Sequence, residues 1–301
     1  MADGGGSTED QWVLAPAERE LVMTKNRANR LGFAILLTFF RDRGRFPRDE
    51  TEVEVQGIAA LAKQLDAPAP LDGEAFLTGR TAERLRGEIR VRFGFREATV
   101  ADAEMLTEWL RDHVAGEVGG DIEPMIERLE ARCRELAIEP PTPERMERLA
   151  RSALRAHEDR FHKSVFERLP PPTRERLDAL LRPEKTDSEE SATDAQGEAA
   201  GSAPAVLLKL RGSPGRPGLA SMRDELEKLE LIRGIELPAD LFDQASSRDL
   251  ERCRQRVSVE VPRDLRRHPD GARLTWLAAF VYLRARSLTD DLVDLDRKSV
   301  V

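Results

Sequence analysis

Arginine is the chemically informative residue in this chain, because it gathers in two short stretches of an acidic protein. Residues 25 to 48 contain seven lysines and arginines against one acid, Asp42. Residues 80 to 96 contain six arginines against two acids. Clustered cations attract phosphates even when the whole chain carries a net charge of −8. Both stretches are therefore candidate phosphate-binding surfaces.

The candidate ligands come from these stretches and from a smaller cluster near residue 210. They are Lys25, Arg27, Arg30, Arg41, Arg43, Arg45, Arg84, Arg86, Arg90, Arg92, Arg211 and Arg216. A structural interpretation competes with this one. Arg41 and Arg43 lie just before Gly44, where cations stabilise a helix C-terminus. Fourteen acids between residues 97 and 147 are also available to pair with arginines.

Other chemistry finds little support in the sequence. His157 and His162 are five residues apart and miss the spacing of a helical zinc site. Neither a P-loop nor a nucleophile elbow occurs. Cys133 and Cys253 fall on the apolar faces of predicted helices, as small core side chains do. We therefore expect no catalytic residue, no metal, no cofactor and no small-molecule substrate.

The elements that carry the arginines are predicted to be helices. An apolar run from Leu31 to Phe40 predicts a buried helix of about three turns, too short to cross a bilayer. Elsewhere, apolar residues recur at intervals of three and four along most of the chain, which predicts further helices.

Two kinds of local signal refine this prediction. Thr51 and Thr99 each stand three residues before an acid, the spacing of a capping box at a helix N-terminus. Val257, Val259 and Val261 alternate with other residues and predict an edge strand, with a helical continuation as the alternative.

Three motifs resemble the amino-terminal region of Tn-three family replicative transposases. They read RLGF at 30–33 with GRF at 44–46, EIR at 88–90 with FGFR at 93–96, and ARSLTDDLVDL at 285–295. The resemblance implies that the chain binds double-stranded DNA at the terminal inverted repeats of a transposon. It also implies that catalysis belongs to a separate domain further along, so we expect a DNA-binding fragment that is not itself an enzyme.

The predicted organisation is all-α, with helix-turn-helix-like units in two lobes joined by an acidic linker. The predicted segments are a disordered N-terminus (1–11), an N-terminal DNA-binding lobe (12–182), a disordered acidic linker (183–204), a second helical lobe (205–296) and a tail (297–301). We see no signal peptide or membrane span, so we expect a cytoplasmic protein that joins the nucleoid when bound. A helical protein-interaction or homodimerisation module without DNA contact is the alternative function.

Overall fold

A computed structural model of the chain describes residues 10–68, 77–182, 205–216 and 218–299. Within these ranges the fold is all-α, as predicted, with fourteen α-helices and no strand. The helices are α1 (Pro16–Met23), α2 (Arg27–Arg43), α3 (Val55–Leu65), α4 (Gly79–Phe93), α5 (Val100–His113), α6 (Ala115–Val118), α7 (Ile122–Glu135), α8 (Pro143–Arg168), α9 (Pro171–Ala179), α10 (Ala205–Arg211), α11 (Leu219–Arg233), α12 (Ser247–Val259), α13 (Pro262–Leu265) and α14 (Asp270–Ser299). No helix in the described ranges has the length and apolar character needed to cross a membrane.

The chain folds as two compact units, and each unit is built from two separate stretches of the sequence. Of the described residues, those within 1–107 and 126–150 form unit 1, and those within 108–125 and 151–301 form unit 2. The predicted linker at 183–204 lies outside the described residues, as do residues 1–9 of the predicted N-terminal segment and residues 300–301 of the predicted tail.

Helix α2 is the centre of unit 1. Every residue from Leu31 to Phe40 is buried, because this helix is apolar on all sides and is surrounded by α1, α3 and α4. Its only polar side chain in that run, Thr38, donates to the Ala34 carbonyl at 2.9 Å. The predicted end of the helix is confirmed, since Gly44 adopts the left-handed conformation with φ 67°.

The first two motifs meet in an aromatic cluster at the C-terminal end of α2. The Phe40 ring lies 4.6 Å from the Phe46 ring, 5.7 Å from Phe93 and 5.0 Å from Phe95. Each ring pair lies within the range in which aromatic side chains stabilise one another beyond simple burial. The motif residues thus hold the C-terminal turns of α2 and α4 together.

Helix α14 has the corresponding role in unit 2. It packs against α9, α11 and α12, and an unbroken buried run from Leu274 to Val281 passes through the core. Thr275, the polar residue of that run, donates to the Gly271 carbonyl at 2.7 Å. The third motif lies further along α14, where Leu288, about two turns after Val281, is fully buried.

Local predictions met mixed outcomes. At Thr99 the capping box is confirmed, because Thr99 N–H donates to Asp102 at 2.8 Å and Asp102 N–H donates back to Thr99 Oγ1 at 3.2 Å. At Thr51 it is wrong: that side chain bonds to Asp49, and α3 begins only at Val55. The strand at Val257 is also wrong, since α12 continues to Val259 and its inward face buries Val257.

Each unit contains one cysteine, and both are buried core residues, as predicted. Cys133 lies on α7 in unit 1 and Cys253 on α12 in unit 2, and both are free thiols. Burial is the main cause that raises the pKa of each thiol to about 12. Neither thiol is therefore ionised or reactive near neutral pH.

The packing of Gly57 gives a test of unit 1. A Cβ on Gly57 would lie 2.6 Å from Trp12 Nε1, inside the ring's contact distance. Although alanine is the better helix former, we expect Gly57→Ala to lower the free energy of unfolding by about 1 to 3 kcal/mol through overpacking. Gly87→Ala on α4 is the matched control, because the nearest atom is 4.0 Å away, and it should raise stability by up to about 1 kcal/mol. Urea denaturation measures both; equal effects would contradict the assigned contact.

Candidate nucleic-acid interface

Helix α4 presents two chemically different faces. One face is buried through Leu85 and Ile89. The positions on the opposite face, spaced by four, three and four residues, are Arg80, Arg84, Gly87 and Val91. Arg84 remains 59% exposed and Val91 80% exposed, and the nearest atom to a Cβ placed on Gly87 would be Arg90 Nη2, at 4.0 Å. A bare helical face with arginines and one exposed apolar side chain is available to a partner.

Three arginines near the ends of α2 tie neighbouring segments to that helix. Arg41 donates to Glu18 and to the Gln11 carbonyl, both at 2.6 Å. Arg30 donates to the carbonyl of Met23, the last residue of α1, at 3.0 Å and to the Lys25 carbonyl at 3.1 Å. Arg45 makes a two-bond ion pair with Glu52, at 2.7 and 3.1 Å. These predicted ligands serve the fold.

Three predicted ligands around α4 are also engaged within unit 1. Lys25 pairs with Glu88 and lies 4.8 Å from the centre of the Phe33 ring. Arg90 bridges two acids that follow it in the chain, Glu97 at 2.5 Å and Glu139 at 2.6 Å. Arg86 lies 5.3 Å from the centre of the Phe46 ring, and burial lowers its pKa. Their charges are therefore largely compensated or enclosed.

Four of the twelve predicted ligands are exposed and make no side-chain hydrogen bond or ion pair with the described residues. They are Arg27, Arg43, Arg92 and Arg216. Arg84 is both exposed and paired, since its side chain is open to solvent and forms an ion pair with Glu88 at 2.6 Å. Arg211 is partly buried in unit 2, where it donates to the Glu260 carbonyl at 2.8 Å.

Two of the free arginines lie at the same end of unit 1. Arg43 ends α2 and Arg92 precedes the last residue of α4, and these C-terminal turns meet at Phe40 and Phe93. Exposed cations at neighbouring helix ends add their fields, so this end of unit 1 can attract an anion.

Arg96, the last residue of the second motif, has a structural role. It makes a two-bond ion pair with Asp102 at 2.5 and 2.7 Å, next to the capping box of α5. These hydrogen bonds from Arg96, aided by those from Thr99, hold the pKa of Asp102 far below its usual range. Arg96 also exchanges backbone hydrogen bonds with the segment around Ile138.

The two histidines of α8 occupy unrelated environments in unit 2. His157 Nε2 lies 3.0 Å from Asp249, whose hydrogen bond raises the pKa of this histidine. His162 Nε2 accepts a hydrogen bond from Trp276 Nε1 at 3.1 Å, and burial lowers its pKa to about 4. The Nε2 atoms of His157 and His162 are thus both engaged by other side chains of the protein. Within the described residues, no three acids, histidines or cysteines come together as a metal site.

Sequence reasoning overlooked three positions on the exposed face of α4. Arg80 was counted in the basic stretch but was not chosen, and Gly87 and Val91 were not considered. The signal was present, because all three fall opposite the apolar stripe of Leu85 and Ile89 at helical spacing. An exposed valine opposite a buried stripe marks a face that is open for contact.

The similarities of this chain to known proteins agree with the three motifs. Residues 6–153 match a family model described as a domain of unknown function, DUF4158. The chain is 25% identical over 281 residues to the transposase for transposon Tn3926 of Escherichia coli, covering 92% of this chain and 27% of the relative. It is 27% identical over 279 residues to the transposase for transposon Tn501 of Pseudomonas aeruginosa, covering 91% of this chain and 26% of the relative. It is 23% identical over 301 residues to the transposase for transposon Tn1546 of Enterococcus faecium, covering 97% and 29% respectively.

These similarities confirm the resemblance that the motifs indicated, and they extend across most of the chain. The chain spans about a quarter of the length of the curated relatives that it matches.

The contrast between Arg90 and Arg92 tests which arginines serve the fold. Arg90→Gln leaves two acids without their shared partner, so we expect the free energy of unfolding to fall by about 1 to 3 kcal/mol. Arg92→Gln removes an exposed, unpaired side chain and should change stability by less than about 0.5 kcal/mol. Chemical denaturation of both variants provides the comparison, and a neutral Arg90→Gln would contradict its bridging role.

His162 predicts an acid-sensitive component of stability. Its pKa of about 4 lies below the unfolded value, so its contribution is complete above about pH 6.5 and is lost as the pH falls towards 4. His162→Gln keeps a hydrogen-bond acceptor but cannot titrate. We expect the loss of stability between pH 7 and pH 4.5 to be about 2 kcal/mol smaller in this variant than in the wild type. Equal losses in urea denaturation would refute this assignment.

His157 provides the opposite sign on the same helix. Its pKa is raised, so its ion pair with Asp249 stabilises the protein fully below the unfolded pKa and is lost as the pH rises through the folded value. His157→Gln should therefore reduce the fall in stability between pH 6 and pH 8.5. The same denaturation series measures it, and a reduced acid sensitivity instead would show that the pair has been assigned the wrong sign.

Proposed function

We propose that this chain, which is homologous to the amino-terminal part of Tn-three family transposases, binds double-stranded DNA through the exposed face of α4. In this proposal the DNA is the terminal inverted repeat of a transposon. The observation that carries the proposal is the row of Arg80, Arg84, Gly87 and Val91 on one open helical face.

The dimensions and chemistry of this face suit the major groove. A helix is about 10 to 12 Å wide with its side chains, and the groove is about 12 Å wide. Arginine forms two hydrogen bonds to guanine, and an apolar side chain such as Val91 contacts the methyl group of thymine. Gly87 has no side chain, which allows the helix backbone to approach the base edges closely. Here α4 acts as the recognition helix of a helix-turn-helix-like unit.

The free arginines at the ends of α2 and α4 supply phosphate contacts in the same proposal. Arg43 and Arg92 lie at one end of unit 1, and Arg27 begins α2 and has no side-chain partner among the described residues. Phosphate contacts fix the register of a protein on the duplex and leave sequence reading to the groove. Recognition is the proposed activity of these residues. The breakage and joining of DNA strands is assigned to parts of a transposase beyond this sequence.

The alternative function, a protein-interaction or dimerisation module, is favoured by one observation. Most of the twelve predicted ligands are engaged by acids or carbonyls of their own unit, which leaves less free positive charge than the sequence indicates. In that case the exposed face of α4 would contact another protein. A dimer in light scattering, with no retention of an inverted-repeat duplex at low salt, would favour this function over DNA binding.

The test replaces charges that do not support the fold. We expect Arg84→Gln/Arg92→Gln to weaken binding to an inverted-repeat duplex by at least ~10-fold, and to reduce the slope of log affinity against log salt by about 1 to 2. Fluorescence anisotropy with the repeat duplex and a scrambled duplex measures both quantities. Val91→Ala should lower affinity for the repeat duplex more than for the scrambled one, because it removes a base contact.

Arg19→Gln/Arg233→Gln is the matched control, since both residues are exposed and without a partner in the described structure but lie outside α4. It should bind as the wild type does. Wild-type affinity and salt slope in the α4 variants would rule out the assigned face.

A further inference from the structure

A cavity of about 490 Å³ lies in unit 2, between α10, α12 and α14. Three arginines and three serines line it: Arg211, Ser213, Arg254, Ser258, Arg284 and Ser287. One acid, Glu251, stands on the same wall. Whether each of the three guanidinium groups is already paired with an acid decides which ligand this cavity can bind.

Arg284 is fully occupied by protein partners. Its guanidinium donates to the carbonyls of Leu210 at 2.9 Å and Gly212 at 2.8 Å, and pairs with Asp291 at 3.1 Å and Glu225 at 3.3 Å. It therefore covers the carbonyl groups at the C-terminus of α10, which would otherwise repel an anion.

A second cation completes this cover. Lys228 donates to the Gly212 carbonyl at 3.0 Å and pairs with the buried Glu225 at 2.6 Å. Arg284 and Lys228 share Glu225, so this network fixes the last turn of α10 without leaving a free carboxylate in the cavity wall. Arg211 stands in that turn.

Arg254 is paired with a neighbour on its own helix. Its Nε donates to Glu251 at 2.8 Å, three residues earlier, and its side chain is about half exposed. An exposed pair of this kind contributes little free energy, so Arg254 can exchange Glu251 for another anion at low cost.

Arg211 is the uncompensated cation of the cavity. Within the described residues, its only side-chain hydrogen bond is from Nη2 to the Glu260 carbonyl at 2.8 Å, and it makes no ion pair there. Its Nε is buried without a partner, and burial lowers the pKa of the side chain. A partly buried positive charge without a counter-ion is costly unless an anion can reach it.

We propose that this cavity binds a phosphate group, with Arg211 as its principal ligand. A guanidinium matches two oxygens of a tetrahedral phosphate and donates to both at once. Ser213, whose hydroxyl makes no hydrogen bond in the described structure, is a second donor. The phosphate is either a free ion or part of a DNA backbone, and both present the same oxygens. This inference uses none of the residues assigned to DNA reading on α4.

The test measures the melting temperature of the full chain while sodium phosphate replaces sodium chloride at constant ionic strength. A ligand that binds only the folded state raises the melting temperature with its occupancy. We expect the melting temperature of the wild type to rise to a plateau with phosphate. In Arg211→Gln, the dissociation constant for phosphate should be at least ~10-fold larger. Arg233→Gln is the matched control, because Arg233 is an exposed arginine of unit 2 that has no side-chain partner among the described residues and does not line the cavity. It should keep the full response.

Ser213→Ala guards against a folding defect in the Arg211 variant, since Ser213 is exposed and its side chain forms no hydrogen bond with the described residues. It should weaken phosphate binding several-fold while leaving stability without phosphate unchanged. A phosphate response that persists unchanged in both variants overturns the proposal.

The source of the phosphate follows from a second measurement, the affinity of Arg211→Gln for duplex DNA. Loss of the phosphate response with unchanged duplex affinity identifies a site for free phosphate or a small phosphorylated molecule. Loss of both identifies a backbone phosphate of DNA. A wild type that shows no phosphate response, together with unchanged duplex affinity in Arg211→Gln, overturns the proposal as well.

Discussion

Helix α2 is apolar on every side, and this single constraint organises unit 1. A helix without a polar face must be covered all round, so the segments before and after it have to wrap around it. The arginines at its two ends secure these segments. Arg30 and Arg41 bind the carbonyls of the preceding chain, and Arg45 binds Glu52 in the following chain. The basic residues that frame the apolar run are therefore largely part of the packing that buries it.

Because many arginines are used in this way, the number of arginines in a stretch does not give the positive charge that is available to a ligand. A basic stretch in a sequence counts cations, whereas a polyanion responds only to those that no carboxylate has already neutralised. Arg90 and Arg92 are two residues apart and have opposite roles, because helical geometry turns the first towards Glu139 and the second to solvent. In unit 2, Arg284 and Arg211 line one cavity, yet Arg284 pairs with acids while Arg211 makes no ion pair with the described residues.

The helical framework was predictable because its signals are local. The apolar run, the end at Gly44 and the capping box at Thr99 depend on residues within a few positions of each other. The errors arose where tertiary packing decided the outcome: Val257 alternates with its neighbours, but the core of unit 2 buries it as part of a helix. Ion pairs such as Arg48 with Glu130, 82 residues apart, have no local signal at all. Which arginines stay free could therefore be known only from the fold.

The distribution of the two buried thiols has a practical consequence. Cys133 and Cys253 are enclosed in different units, and neither forms a disulfide. A thiol-specific reagent can reach each one only when its own unit opens, because a buried, protonated sulfur does not react. The modification rate of each cysteine, resolved by peptide mass spectrometry, would therefore report the opening of one unit without any added label. The protein already contains a separate internal probe for each half of its architecture.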